Sequence, residues 1–81
     1  MSTSRTVAQQ LGILTNYRTL VDRAVEAFGD EIKASQWLSL PNDELNGQTP
    51  LELAEKTDYN PTTLDEVFEP IFVRIEHGIY F

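Results

Sequence analysis

Eighty-one residues allow one domain with one small core, a size that buries about 60–65% of the surface its unfolded chain exposes. Thirteen acidic against six basic side chains give a net charge of −7. That balance argues against direct nucleic-acid binding, which relies on clustered Lys and Arg, and suits either a basic partner surface or plain solubility. The absence of cysteine excludes disulfides and thiolate metal sites, while 41% hydrophobic residues with eight aromatics is not a disordered composition.

The first residues, Met1-Ser2-Thr3-Ser4-Arg5, do not read as a secretory signal, and no apolar run approaches the roughly 20 residues that span a bilayer. A cytoplasmic protein without membrane contact is expected. Residues 1–15 form a poorly determined N-terminal segment in which Gly12 weakens any long helix. Val7, Leu11, Ile13 and Leu14 are available there to dock on the core or on a second copy. The helical domain proper is expected over residues 16–81.

Thr15 or Asn16 is the expected cap of the first helix, whose stripe is Tyr17, Leu20, Val21, Ala24, Val25 and Phe28. Asp22 and Glu26 against Arg18 and Arg23 predict weak surface pairs. Gly29 stops this helix and Asp30 caps the next, which runs to Ser39 with Ala34, Trp37 and Leu38 inward and Ile32 off that face. Pro41 to Leu45 predicts a single helical turn ended by Asn46-Gly47. Thr49-Pro50-Leu51-Glu52 is a capping box with proline at the first helical position, opening a short helix to Lys56. Asn60 caps and Pro61 opens the last helix, to about His77, with the stripe Leu64, Val67, Phe68, Ile71, Phe72 and Ile75. Pro70 interrupts it; because the periodicity runs through, a kink rather than a break is predicted. Gly78 ends the helix, and Ile79-Tyr80-Phe81 close the sequence with three large apolar side chains. The result is an all-α bundle of about four main helices, the last one kinked.

Few residues invite a chemical role. The single histidine, His77, lies near a helix end with no nucleophile, second base or phosphate loop beside it, and reads as a partly exposed helix-terminal residue. One His and no Cys leave only oxygen ligands, and no calcium-loop spacing occurs. The numerous carboxylates include no pair set apart by sequence. No enzymatic activity and no cofactor are expected. Trp37, Phe68 and Phe72 read first as core and second as interface anchors. The tail Ile79-Tyr80-Phe81 either folds back on its own domain or enters a pocket of a partner.

The ordered set Phe28, Gly29, Ala34, Trp37, Leu38, Pro41, Asn42, Leu45, Gly47, Pro50 and Leu51, followed by Gly78, resembles the toxin-binding domain of the Xre/MbcA/ParS antitoxin family over roughly residues 17 to 79. Pro70 departs from that family's pattern. The resemblance also lacks the N-terminal Xre-type helix-turn-helix domain of many members, since about 15 residues ahead of the first helix do not hold three helices. DNA autoregulation by this chain alone is therefore not expected. The resemblance implies neutralisation of a RES-domain toxin, which consumes or transfers from NAD⁺, by covering its active-site cleft. By position, Gly78 matches the glycine closing the last helix, and Arg74, Glu76, Ile79, Tyr80 and Phe81 become the partner-binding candidates. The alternative is a homo-oligomeric interaction or regulatory module of the same fold, such as a homodimer, without a toxin partner.

Overall fold

A computed structural model describes residues 7–78, and these residues form helices joined by short capped turns. The order is α1 (Val7–Phe28), α2 (Glu31–Ser39), a 3₁₀ turn (Asp43–Leu45), α3 (Pro50–Lys56), α4 (Pro61–Thr63), a π-helical segment (Leu64–Phe68) and α5 (Glu69–Glu76). The last three run on as one helical arm. The all-α reading holds: among the described residues the only extended pairing is the isolated bridge between Asn42 and Gln48.

The expected cap at Thr15 or Asn16 is corrected. Helix α1 is already formed at Val7 and passes through Gly12, Thr15 and Asn16 without a break. The Thr15 hydroxyl donates instead to the Leu11 carbonyl at 2.9 Å, one turn back, as Thr19 does to Thr15. A hydroxyl bonded this way sits comfortably inside a helix and offers nothing to a first turn. At the other end Gly29 takes φ +70°, and its N–H donates to the Val25 carbonyl at 2.8 Å, closing α1.

The caps read from sequence are present. The Asp30 carboxylate accepts from the N–H groups of Ile32 (2.7 Å) and Lys33 (3.3 Å). Thr49 and Glu52 close a reciprocal capping box, at 3.0 Å from the Glu52 N–H to Thr49 Oγ1 and 2.9 Å from the Thr49 N–H to Glu52 Oε1. The Asn60 side chain accepts from the Thr62 N–H at 2.8 Å. Between α2 and α3 the chain winds around Asn42, the only buried polar residue among those described. Its carbonyl accepts from Leu45 (2.9 Å) and Gly47 (3.0 Å), its N–H donates to Gln48 (3.0 Å), and its side chain caps the 3₁₀ turn through the Glu44 N–H (2.8 Å). This one residue supplies most of the loop with partners.

Ahead of Pro70 the arm widens by one residue. The Glu69 N–H reaches back five residues to the Leu64 carbonyl rather than four. Proline has no N–H to give and its ring crowds the carbonyl four residues earlier. A π turn placed there relieves that crowding and keeps the helix continuous, so the interruption predicted at Pro70 takes the form of a π-helical turn.

The core is aromatic at its centre. Phe68 and Phe72 are fully buried, and Trp37 packs against both, with ring centroids at 6.3 and 5.3 Å. Phe28 stands 5.9 Å from Trp37 on the other side. Leu20 and Ala24 of α1, Ala34 and Leu38 of α2, Leu45, Ala54 of α3, and Ile71 and Ile75 of α5 complete it. Burying a phenylalanine is worth about 2–3 kcal/mol, so these rings carry much of what holds α5 to α1 and α2. Ile32, off the inner face of α2, is 70% exposed.

Candidate functional site

Helix α5 leads into the expected partner-binding tail, and its two faces do different work. Toward α1 it turns Glu69 and Glu76, seven residues apart, onto the guanidinium of Arg23. Arg23 Nε and Nη2 donate to Glu69 at 2.9 and 2.6 Å, and Nη1 and Nη2 donate to Glu76 at 2.7 and 2.9 Å. Nη1 also reaches Glu26 on its own helix at 3.1 Å. The guanidinium lies 5.5 Å from the centroid of the Phe72 ring, a cation over an aromatic face. With its side chain only 20% exposed, Arg23 makes the pair with Glu26 expected from the spacing of α1 and is also the electrostatic link between α1 and α5.

The titration behaviour follows from this geometry. Hydrogen bonds to Glu76 and then Glu69 hold the Arg23 guanidinium well above its ordinary pKa, against the opposing effect of burial. The hydrogen bond from Arg23 lowers the Glu76 carboxyl below its ordinary 4.5. On α3's far side, burial raises the Tyr59 hydroxyl, with the charge of Glu55 and the nearby Tyr17 adding to it. Tyr59 sits edge-on to Tyr17 at 5.5 Å, and both it and Asp58 have φ of +54°.

The second face of α5 carries Arg74, which is ion-paired with Glu44 of the 3₁₀ turn. The two charged candidates thus both have partners inside the chain, Arg74 on Glu44 and Glu76 on Arg23. They are not brought together: each fastens α5 to a different element. Ile79, Tyr80 and Phe81 lie outside the described residues. His77 is exposed at the C-cap of α5, its N–H donating to the Val73 carbonyl at 3.0 Å. Among the described residues no cluster of three or more His, Asp or Glu side chains is placed to hold a metal, and no helix is long and apolar enough to cross a membrane.

The described helices also frame two grooves. A groove of about 400 Å³ runs between α1 and α2, with Val21, Val25, Ala34, Leu38 and Leu51 as its apolar lining and Asp22 and Glu31 at its edge. A second, of about 420 Å³, is formed by Trp37 and the Leu40–Glu44 segment.

Comparison with known families gives one match: residues 23–68 fit the model of the antitoxin Xre/MbcA/ParS C-terminal toxin-binding domain. That span covers more than half of the chain. It starts at Arg23, takes in the Asn42 loop and the capping box, and ends at Phe68, the last residue of the π segment. The chain belongs to this toxin-binding domain family. No curated protein and no solved structure matches it. The resemblance read from sequence extended from residue 17 to 79, so the matched span is the narrower one and leaves out α5 and the tail. Membership therefore rests on the helix-and-turn framework around Trp37, while the residues proposed to touch a partner lie beyond it. The Arg23–Glu69–Glu76 link escaped the sequence reading because its members are far apart in the chain. The available signal was Glu69 and Glu76 at a seven-residue spacing, on the same side of a helix as the buried Phe72.

Proposed function

We propose that this protein is an antitoxin that binds a RES-domain toxin, one that consumes NAD⁺ or transfers ADP-ribose from it, and silences it by covering its active-site cleft. The observation that carries this reading is the family match, which makes a toxin the partner class. The net charge of −7 supports it, because a cleft that holds a dinucleotide presents positive groups to phosphates. In this reading the protein works in the cytoplasm, catalyses no reaction, needs no cofactor, and contacts neither nucleic acid nor membrane by itself.

The contact is assigned to the end of the last helix and the residues after it: Ile79, Tyr80 and Phe81 as apolar anchors, with Arg74 and Glu76 in support. A few aromatic residues seated in a pocket deliver most of the energy of an interface. Arg74 and Glu76 contribute through the ion pairs that fix the direction of α5, from which the tail departs. The test is co-expression with the protein encoded by the neighbouring gene, purification on this chain, and assay of NAD⁺ turnover before and after the complex is dissociated. A RES-domain protein that co-purifies and turns over NAD⁺ only once released is the expected result. Deleting Ile79 to Phe81 is expected to weaken neutralisation without lowering the helical content; full neutralisation by the shortened chain would overturn the assignment of the tail.

The homo-oligomeric alternative draws on a different observation, the exposed apolar side chains on the first half of α1. Elution of the chain alone as a defined oligomer, with no toxin captured, is the outcome that would favour it.

A further inference from the structure

Helix α1 carries an apolar stripe that its own domain covers only in part. Val7, Leu11, Leu14, Val21 and Val25, with Arg18 as the one charged position between them, follow one another at steps of four and three residues, a heptad seam along one side of the helix. Val21 and Val25 are half-buried and form one wall of the groove against α2. Val7, Leu11 and Leu14 continue the same line past the core and are 72%, 58% and 61% exposed. The seam is thus an open apolar face in its first half and a groove wall in its second.

We propose that the occupant of this face is a second copy of the chain, bound antiparallel along α1 with its exposed half in the partner's groove. The register is set by the seam itself. Pairing Val7 with Val25 and Leu11 with Val21 of the other copy sets apolar on apolar, Leu14 meets the aliphatic stem of Arg18, each pair sums to 32, and the pairing is symmetric for both copies. The contact then runs along about 28 Å of shared helix, from Val7 to Val25 at 1.5 Å per residue.

Charge selects the same arrangement. Each chain carries −7, so two copies repel over most of their surfaces. Between Val7 and Tyr17, however, α1 has no charged residue. In the antiparallel register the charged positions on and beside the seam of one copy, Arg18 and Asp22, lie against Leu14 and Gln10 of the other. A parallel pairing would set Arg18 on Arg18 and Asp22 on Asp22, and like charges directly opposed cost affinity. The dimer uses α1 and not the residues assigned to the toxin, so it goes beyond the toxin-binding reading and stands or falls without it.

The experiment is light scattering of the full 81-residue chain over a concentration series, with a crosslinking arm that the absence of native cysteine makes clean. The expected mass rises to twice 9.2 kDa, and Leu11→Glu, a change at an exposed position, weakens association at least about tenfold with helicity unchanged. A Leu11→Cys chain mixed with a Val21→Cys chain is expected to form the mixed disulfide. Each alone should not, since like positions stand about 15 Å apart along the axes. A mass of 9.2 kDa at every concentration would overturn the proposal, as would a dimer indifferent to Leu11→Glu; a disulfide between two Leu11→Cys chains would overturn the antiparallel register.

Discussion

The segment from Gly29 to Thr49 and the seam between α1 and α5 hold this small domain by opposite means. In the first, the hydrogen bonds that set the helix ends are local: Asp30 caps two and three residues ahead, Asn42 bonds to backbone groups within six residues of itself, and Thr49 closes a box with Glu52. In the second, Arg23 is bonded to Glu69 and Glu76, and Trp37, packed on Phe28, meets Phe68 and Phe72 from the far end of the chain. Local contacts set where helices start and stop; the distant ones decide how the helices lie against each other.

The comparison is broken most severely at its aromatic centre. Phe72→Ala removes a fully buried ring that touches Trp37 and lies under Arg23, and is expected to cost about 3–5 kcal/mol. For a domain whose total stability is expected at about 4–12 kcal/mol, chemical denaturation should show the midpoint falling sharply, with all helices lost together. An unchanged midpoint would mean that α5 contributes little to the fold.

Arg23→Ala tests the seam's polar part. Two carboxylates of α5 are left facing each other without their cation, and an effect of about 2 kcal/mol is expected, discounted for the partial exposure of the carboxylates. The same link has a pH signature. The folded pKa of Glu76 lies below its ordinary 4.5, so its contribution is complete above that value and is lost as the pH falls through the folded pKa. Denaturation midpoints should therefore fall on the acid side, below about pH 4.5, and Arg23→Ala should flatten that limb. An equally steep limb in the variant would place the acid sensitivity elsewhere.

The smallest change probes the local region. Thr49→Ala removes one half of the capping box and should cost about 1 kcal/mol, read as a shift in midpoint without loss of cooperativity. If Thr49→Ala proved as damaging as Arg23→Ala, the division between boundary-setting and packing contacts would not hold.

That division also explains what could be read from the residues in order. The boundaries of α2 and α3, the turn at Asn46-Gly47 and the stripe of the last helix were legible because each is announced by residues within one turn of one another. The start of α1 was not. Thr15 has the chemistry of a cap, and only the helix around it shows its hydroxyl bonded backwards to Leu11. Pro70 announced a disturbance, but the form it takes, a turn widened by the Glu69 N–H reaching back to the Leu64 carbonyl, is seen only in the structure. For the candidate site the framework was legible and its charges were not: Arg23 looked like a surface residue, and Arg74 and Glu76 gave no sign of the partners they have on other elements.

The corner at Asp58–Tyr59 carries this division into folding kinetics. Two successive non-glycine residues stand at φ +54°, a conformation that costs a residue such as Tyr59 roughly 1–2 kcal/mol and an Asp less. The Asp58 N–H donates to the Glu55 carbonyl at 3.0 Å and the Tyr59 N–H to the Ala54 carbonyl at 2.7 Å, which offsets part of that cost; the ring of Tyr59 finds its neighbour, Tyr17, only after α1 has formed and docked. The corner should therefore be among the last parts to set. Removing its distant support with Tyr17→Ala is expected to speed unfolding in stopped-flow measurements while leaving the refolding rate nearly unchanged. A protein built this way owes part of its lifetime in the folded state, rather than its speed of reaching it, to a single pair of rings.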